Sequence, residues 1–292
     1  MLVEGEKNTV LFSELFIEDY SEIYNRVSSF LTQKNVCCLS VPNTADYWCR
    51  DFMPVQVSDK RYVQFMFRPD YLKGKEKYLT DTDKVMHSLR QNPLFSDIEI
   101  VKCPVVIDGG NMIVCRGYDE VGQYNLLIMT DKVMTENKGM SSTQIESEIT
   151  KAVGERVKFL WLPWEGTKKD KYGHTDGMVR FINIENDGKP VVLANLDVYG
   201  SHQHDLRKCL ERESYLKEIS FSKYSSLNWA SVNFIQTDNA IAIPGIGNPQ
   251  DDEMLRVMSS LYANENIGSI PMLSFIKKWG GALNCLTWTV KL

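Results

Sequence analysis

Four short segments put ionisable side chains beside glycines or aromatics in a way that packing alone does not demand: 46–54 (DYWCRDFMP), 105–111 (VVIDGGN), 173–177 (GHTDG) and 280–288 (GGALNCLTW). In the first, Arg50 and Asp51 stand among Tyr47, Trp48 and Phe52, which suits a polar site with hydrophobic walls, and equally a surface turn ended by Pro54. In the second, Asp108 ends an apolar run, and Gly109-Gly110 let the backbone turn without a Cβ clash. Such an acid can orient an imidazole, or it is the solvated head of a tight Asp-Gly turn. In the third, His174 and Asp176 share a face if the backbone is extended, which would aim a proton shuttle and a fixed anion at one cavity. A lone loop histidine and a metal-ligand pair are the alternatives. In the fourth, Cys285 follows a glycine pair and precedes an apolar strand, the setting of an exposed nucleophile. A free cysteine is more often a small buried hydrophobe.

The metal reading is the weaker one, because neither His202-Gln203-His204 nor any cysteine pair supplies a third and fourth ligand at familiar spacing. His202 and His204 read as surface or loop residues. Seven cysteines without regular spacing, two of them adjacent at Cys37-Cys38, read as reduced thiols. Cys37, Cys38, Cys103, Cys115 and Cys209 fall in apolar or helical contexts and take the inert reading. A net charge of -5 offers no basic field to a polyphosphate, so no nucleic-acid partner is expected. No run approaches the roughly 18 apolar residues of a membrane span. The start MLVEGEKNTV has neither a basic head nor an apolar core. A cytoplasmic protein without membrane association is the expectation.

These segments need elements to position them. Short β-branched apolar runs at 36–41, 62–67, 98–106, 112–115, 126–130, 157–162, 178–184, 191–195, 231–236 and 240–244 read as strands, many buried on both faces. Helical spacing appears in 16–32, where Ile17, Tyr20, Ile23, Tyr24, Val27 and Phe30 share a face, and in 82–90, 143–153 and 251–261. Asp251 and Asp252 suit an N-cap and the positive end of a helix dipole. The polar stretches 136–142 and 167–173 are short enough to be loops, and no linker or low-complexity tract divides the 292 residues. The expectation is one continuous α/β domain, 1–292, in which small groups of strands, each with a helix, recur along the chain.

Taken in order, WCRD, DGGN, GHTDG and GGALNC closely resemble the signature of the agmatine deiminase and bacterial-type peptidylarginine deiminase family, within the guanidino-group-modifying superfamily. Trp161-Leu162-Pro163, Val232-Asn233-Phe234 followed by 240–244, and the 251–261 helix before Ile270-Pro271 extend the likeness from Val36 to the C-terminus. The resemblance implies a pentein, a five-bladed α/β propeller of pseudo-repeated ββαβ units around a central active-site pocket. It implies Cys285 as nucleophile, His174 as general acid and base, and Asp108 as the acid that orients it. Asp51 and Asp176 would hold the substrate guanidinium, with Trp48 and Trp288 as pocket aromatics or structural ones. The implied reaction is hydrolysis of agmatine to N-carbamoylputrescine and ammonia through an S-alkylthiouronium, without metal or organic cofactor. The implied partner is thus a small cationic guanidino substrate. A peptidylarginine or other guanidine deiminase and a non-catalytic pentein are the alternatives.

The residue chemistry fits those positions. A guanidinium is planar and cationic with five N–H donors, and carboxylates accept from it in bidentate fashion. Its carbon is a poor electrophile, so attack needs a soft nucleophile and a proton for the leaving nitrogen, which a cysteine and a histidine supply. The bound cation would itself favour the thiolate. Two carboxylates aimed at the reacting group would repel the oxyanion of acyl transfer, which sets a Cys-His-Asp protease or amidase aside. Three positions depart from the family pattern: Met53 stands at a usual glycine, Asn284 at a frequent histidine, and Asp108 where agmatine deiminases commonly have glutamate.

Overall fold

One construction rule repeats five times: a strand, an antiparallel return, a helical crossover, and a third strand parallel to the second. The computed structural model describes residues 1–166, 170–185, 187–262 and 266–292. Val55–Gln56 pairs antiparallel with Arg61–Met66, which after the helix Thr82–Leu89 pairs parallel with Glu99–Val106. Ile113–Asp119, Gly122–Thr130 and Val157–Leu162 follow the same order around the helices Lys132–Glu136 and Ser142–Val153. Val179–Ile184, Pro190–Ala194 and Tyr215–Glu218 do so around Gln203–Glu213. Ile235–Gln236, Ala240–Gly245 and Asn266–Pro271 do so around Gln250–Leu261. The remaining unit joins the two ends of the chain. Thr9–Ser13 runs parallel to Cys37–Val41 across the helices Glu14–Asp19 and Ser21–Thr32, and antiparallel to Thr287–Val290. The last strand supplies the first position of the unit that the N-terminus begins, and the ring of sheets closes. This is the five-bladed pentein architecture.

A parallel return demands a crossover, and an amphipathic helix is the element that both spans the sheet and covers it. Ser142–Val153 illustrates the local rule. Ser141 Oγ accepts from the Gln144 amide at 3.2 Å while Gln144 Oε1 accepts from the Ser141 amide at 2.7 Å, a reciprocal cap. The helix stops at Gly154, whose φ of +70° suits glycine. Its buried face, Ile145, Ile149, Ala152 and Val153, packs on Phe65, Cys103, Val105, Leu127 and Met129. Each large apolar side chain so covered contributes about 1.5–3 kcal/mol.

The structure departs from the sequence reading at several elements. Residues 231–236 are not one strand: Asn228–Val232 is a short 3-10 helix and only Ile235–Gln236 pairs. The 16–32 helix is broken at Tyr20 (φ -130°, ψ 41°), whose ring packs against Phe16, Tyr47, Phe275 and Trp279. Asp251 does not cap its own helix, which starts after Pro249; its carboxylate accepts from the amides of Ile246 (2.7 Å) and Gly247 (3.1 Å) and fixes the preceding loop. By contrast His202 and His204 are at the surface as expected, His204 on the helix Gln203–Glu213 and His202 just before it. Glu136 ends a helix rather than opening a loop, and of the 167–173 stretch, 167–169 lie outside the described residues. Among the described residues no helix is long and apolar enough to cross a membrane.

Candidate active site

The segments that lead from the last strand of one unit to the first strand of the next meet in a closed circuit. Gly110 N donates to Asp51 Oδ1 at 3.1 Å, linking the first junction to the second. His174 Nε2 and Asp108 Oδ2 are 3.1 Å apart, linking second to third. Asn233 Nδ2 donates to the Asp176 carbonyl at 3.3 Å, linking third to fourth. Cys285 N donates to Asn233 Oδ1 at 3.3 Å, and Arg50 N donates to the Cys285 carbonyl at 3.2 Å, which returns the circuit to its start. Four of these junctions are the four motifs. The remaining one, 228–233, contributes Asn233.

Local geometry explains the residue types. Asp51 is on the single turn Cys49–Phe52, and Asp108 directly precedes the turn Gly109–Asn111. The two glycines are required by close approach, not by turning. A Cβ on Gly109 would lie 2.0 Å from the Arg50 carbonyl oxygen, and one on Gly110 would lie 2.5 Å from His174 Nδ1 and 2.6 Å from Asp51 Oδ1. His174 itself is extended, but Thr175–Gly177 curls into a 3-10 turn. The strand alternation expected to bring His174 and Asp176 together is therefore absent; a turn does it. Gly281 is needed because the Trp48 ring lies on it, 2.3 Å from where a Cβ would stand.

Trp48, Asp51, His174 and Cys285 line one cavity of about 470 Å³. Asp108 and Asp176, both 2% exposed, stand behind His174 and Cys285. Cys285 is 8% exposed, a buried thiol at the cavity wall where the sequence setting suggested an exposed one. Its Sγ is 3.4 Å from Asp176 Oδ2 and 3.2 Å from Asn233 Nδ2. Burial, then the charges of Asp176 and Asp51, push this thiol well above its ordinary pKa. For His174, burial opposes the imidazolium, but Asp51 (3.7 Å from Nδ1) and Asp108 outweigh it and hold the pKa up to about 10. Burial likewise lifts the Asp51 carboxyl to about 8, with His174 pulling it down and Asp108, Asp176 and Asp46 pushing it up. The site concentrates carboxylates around a thiol that keeps its proton, and an additional flat cation would relieve both.

The three departures from the family pattern have local accounts. Met53 has φ -81° and ψ 149°, which any residue adopts, and its side chain is buried with Phe52. Asn284 Nδ2 donates to Asp176 Oδ2 at 2.8 Å while its Oδ1 accepts from Arg180 at 2.9 Å, so it couples a buried cation to the carboxylate beside Cys285. Asp108 reaches His174 without the extra methylene of a glutamate, and its Oδ2 also accepts from Tyr71 OH at 3.0 Å. Trp288 is away from this cavity, donating to the Pro54 carbonyl at 2.7 Å and packing on Tyr62 and Phe95. Asn233, Tyr71 and Asp46 were not marked by the sequence motifs as site residues. Asp46 lines the cavity, accepts from the Trp48 amide at 2.9 Å and is raised by burial to about 7. Asn233 lies in the Val232-Asn233-Phe234 likeness, which gave it no role; the rule of one site junction per unit would have pointed to one. Among the described residues no group of three or more His, Cys, Asp or Glu is placed to hold a metal ion.

Comparison with known proteins finds similarity along nearly the whole chain. A Mycoplasma capricolum relative provisionally named agmatine deiminase is 23% identical over 293 residues, covering 88% of this chain and 78% of its own. The structure of the agmatine deiminase of C. jejuni covers 99% of this chain and 94% of its own at 18% identity and a TM-score of 0.69. A cysteine-to-serine variant of that enzyme, solved with substrate bound, covers 99% and 95% at 17% identity and a TM-score of 0.68. At such identities the structural likeness carries the fold. The family is carried by a sequence model, that of the Porphyromonas-type peptidyl-arginine deiminases, which matches residues 4–290, from before the first strand to the end of the last and across all five junctions. The chain belongs to that deiminase family.

Proposed function

We propose that the protein is a hydrolytic deiminase of guanidino compounds and that agmatine is its substrate. The observation that carries the reading is the Cys285 sulfur on the same cavity as His174 and Asp51, with Asp176 behind it. Asp51 and Asp176 hold the guanidinium from two sides. Its charge offsets theirs, which removes the main cause of the raised thiol pKa after burial, so that binding itself releases the thiolate. The thiolate adds to the guanidinium carbon. His174, held protonated by Asp51 and Asp108, gives its proton to a terminal nitrogen, the C–N bond breaks and ammonia leaves, with an S-alkylthiouronium on Cys285. Asn233 Nδ2, 3.2 Å from Sγ, stabilises the sulfur as thiolate. In the second half, neutral His174 takes a proton from water and the oxygen adds to the same carbon; the C–S bond then breaks and the remaining hydroxyl proton passes to solvent, giving the ureido product and the thiolate.

Agmatine is favoured over other guanidines because Asp46 and Asp19 line the same cavity as Trp48, two further carboxylates suited to the substrate's second cation. Lys75 and Lys171 also line it, and they favour the second reading, a substrate that carries a carboxylate, such as arginine or an arginyl peptide. A panel of agmatine, free arginine and a blocked arginyl peptide, scored for ammonia and ureido product in wild type and Cys285→Ala, tests both. Cys285-dependent turnover led by agmatine supports the proposal. Turnover led by the peptide supports the second reading, and no Cys285-dependent turnover refutes both.

A further inference from the structure

We propose that Tyr71 is a positioning residue for the Asp108–His174 pair, brought to it by a surface turn that the buried Lys132–Glu136 pair latches in place. Tyr71 belongs to the short turn Asp70–Leu72, in the crossing between Arg61–Met66 and Thr82–Leu89, outside every motif discussed above. The residues that follow it, 73–78, are exposed, yet the Tyr71 hydroxyl reaches inward and donates to Asp108 Oδ2 at 3.0 Å. That oxygen is the one that meets His174 Nε2 at 3.1 Å. The other oxygen, Oδ1, is buried and has no hydrogen-bond partner among the described residues. A carboxylate anchored through one oxygen can rotate about its last bond. Two donors on that oxygen, the phenol from one side and the imidazole from the other, fix both its direction and the ring it faces. The ring of Tyr71 adds to this by meeting Tyr172 edge-on at 4.9 Å, and Tyr172 in turn lies 5.8 Å from the His174 ring.

The latch is on the neighbouring unit. Lys132, 1% exposed, pairs with Glu136 and lies 3.1 Å from Asp70 Oδ1. Glu136 Oε1 accepts from the Asp70 amide at 3.1 Å. One residue of the turn is thus held by both signs of a buried ion pair, through its side chain and through its backbone. The Lys132 ammonium also stands 5.4 Å from the Tyr71 ring centroid. A buried ion pair is weak as a source of stability, and its best-attested use is to fix register. Here the register fixed is that of Tyr71 against Asp108.

The chemical consequence concerns the proton on His174. The groups that act on it are Asp51, Asp108, Asp176 and Asp170, with Lys132 acting on Asp108. A phenol that donates to Asp108 draws off part of the charge that holds the imidazolium, and makes its proton easier to give to the departing nitrogen. Burial and the charges of Asp108 and Asp51 keep the phenol protonated and hence a donor.

The inference rests on the deiminase reading, and the test separates the two. In Tyr71→Phe, kcat should fall about tenfold or more with KM changed less than about twofold, since a hydrogen bond to a charged group is lost while the ring remains. The alkaline limb of kcat should move to higher pH. Asp70→Ala should lower kcat in the same direction, and should add little in the Tyr71→Phe background, because both act through one contact. An unchanged kcat and pH profile in Tyr71→Phe, with only a lower Tm, overturns the positioning role. Full activity in Asp70→Ala overturns the latch. Wild type without Cys285-dependent turnover refutes the deiminase reading instead. In that case ¹⁵N-imidazole NMR still decides the inference. With four histidines and His174→Gln for assignment, the His174 midpoint should lie at higher pH in Tyr71→Phe than in wild type, and an equal midpoint overturns it.

Discussion

Asp176→Asn should make the Cys285 thiol more reactive and the enzyme slower. Asp176 Oδ2 is 3.4 Å from Cys285 Sγ, and after burial its charge is the largest influence that raises the thiol pKa. Two unit charges at that separation repel by about 5 kcal/mol at an effective dielectric near 20. Asn284 at 2.8 Å, with Arg180 behind it, already draws on the same carboxylate. Taking roughly half as effective leaves about 2.5–3 kcal/mol, a factor of roughly 100 in thiolate population at fixed pH. The assay is iodoacetamide alkylation at pH 7, followed on the Cys285 peptide by mass spectrometry so that the exposed Cys37 does not interfere. Alkylation should accelerate about a hundredfold while agmatine turnover drops by about 10²-fold or more, because half of the guanidinium clamp is gone. Alkylation of Asp176→Asn at the wild-type rate or slower would refute the electrostatic argument for the resting thiol.

Gly110→Ala should abolish turnover while leaving the protein folded, because the new methyl falls 2.5 Å from His174 Nδ1 and 2.6 Å from Asp51 Oδ1 and must drive them apart; circular dichroism alongside the ammonia assay checks it. Agmatine binding to Cys285→Ser at pH 7 should release protons, because the bound cation disfavours protonation of the Asp51–His174 pair that burial and mutual attraction hold up. Titration calorimetry in buffers of different ionisation enthalpy reads that release, and a binding heat independent of the buffer would refute it. Asp251→Ala should cost about 1–2 kcal/mol and lower Tm by several degrees without changing kcat, because the amides of Ile246 and Gly247 lose their acceptor in a loop that does not line the cavity.

The strands were legible because their apolar runs are bounded by polar residues, so 157–162 is read and found as Val157–Leu162. The two-residue strands Val55–Gln56 and Ile235–Gln236 carry too little pattern to be seen. Closure of the ring by Thr287–Val290 against Thr9–Ser13 is a contact between chain ends that no local window contains. Within the site, charge and glycine marked Asp51, Asp108, His174, Asp176 and Cys285. Asn233 is neutral, and Val232-Asn233-Phe234 entered only as part of the family likeness, with no role until its side chain is found between Asp176 and Cys285. Tyr71 was hidden for another reason: its partner Asp108 is reached across the fold, and its own neighbourhood is an exposed polar turn. The glycines of DGGN were read as turning without a Cβ clash, and the structure shows what the clash would be with. Backbone freedom is not what they supply; the absent Cβ makes room for Arg50, Asp51 and His174.

The most direct test of the central claim is to quench the protein with acid during turnover of agmatine and weigh the peptide that contains Cys285. The account predicts that a fraction of this peptide carries the substrate less one ammonia, joined through sulfur, and that the adduct vanishes in Cys285→Ala. An unmodified Cys285 peptide in a sample that is releasing ammonia, or the same mass on another residue, would contradict it.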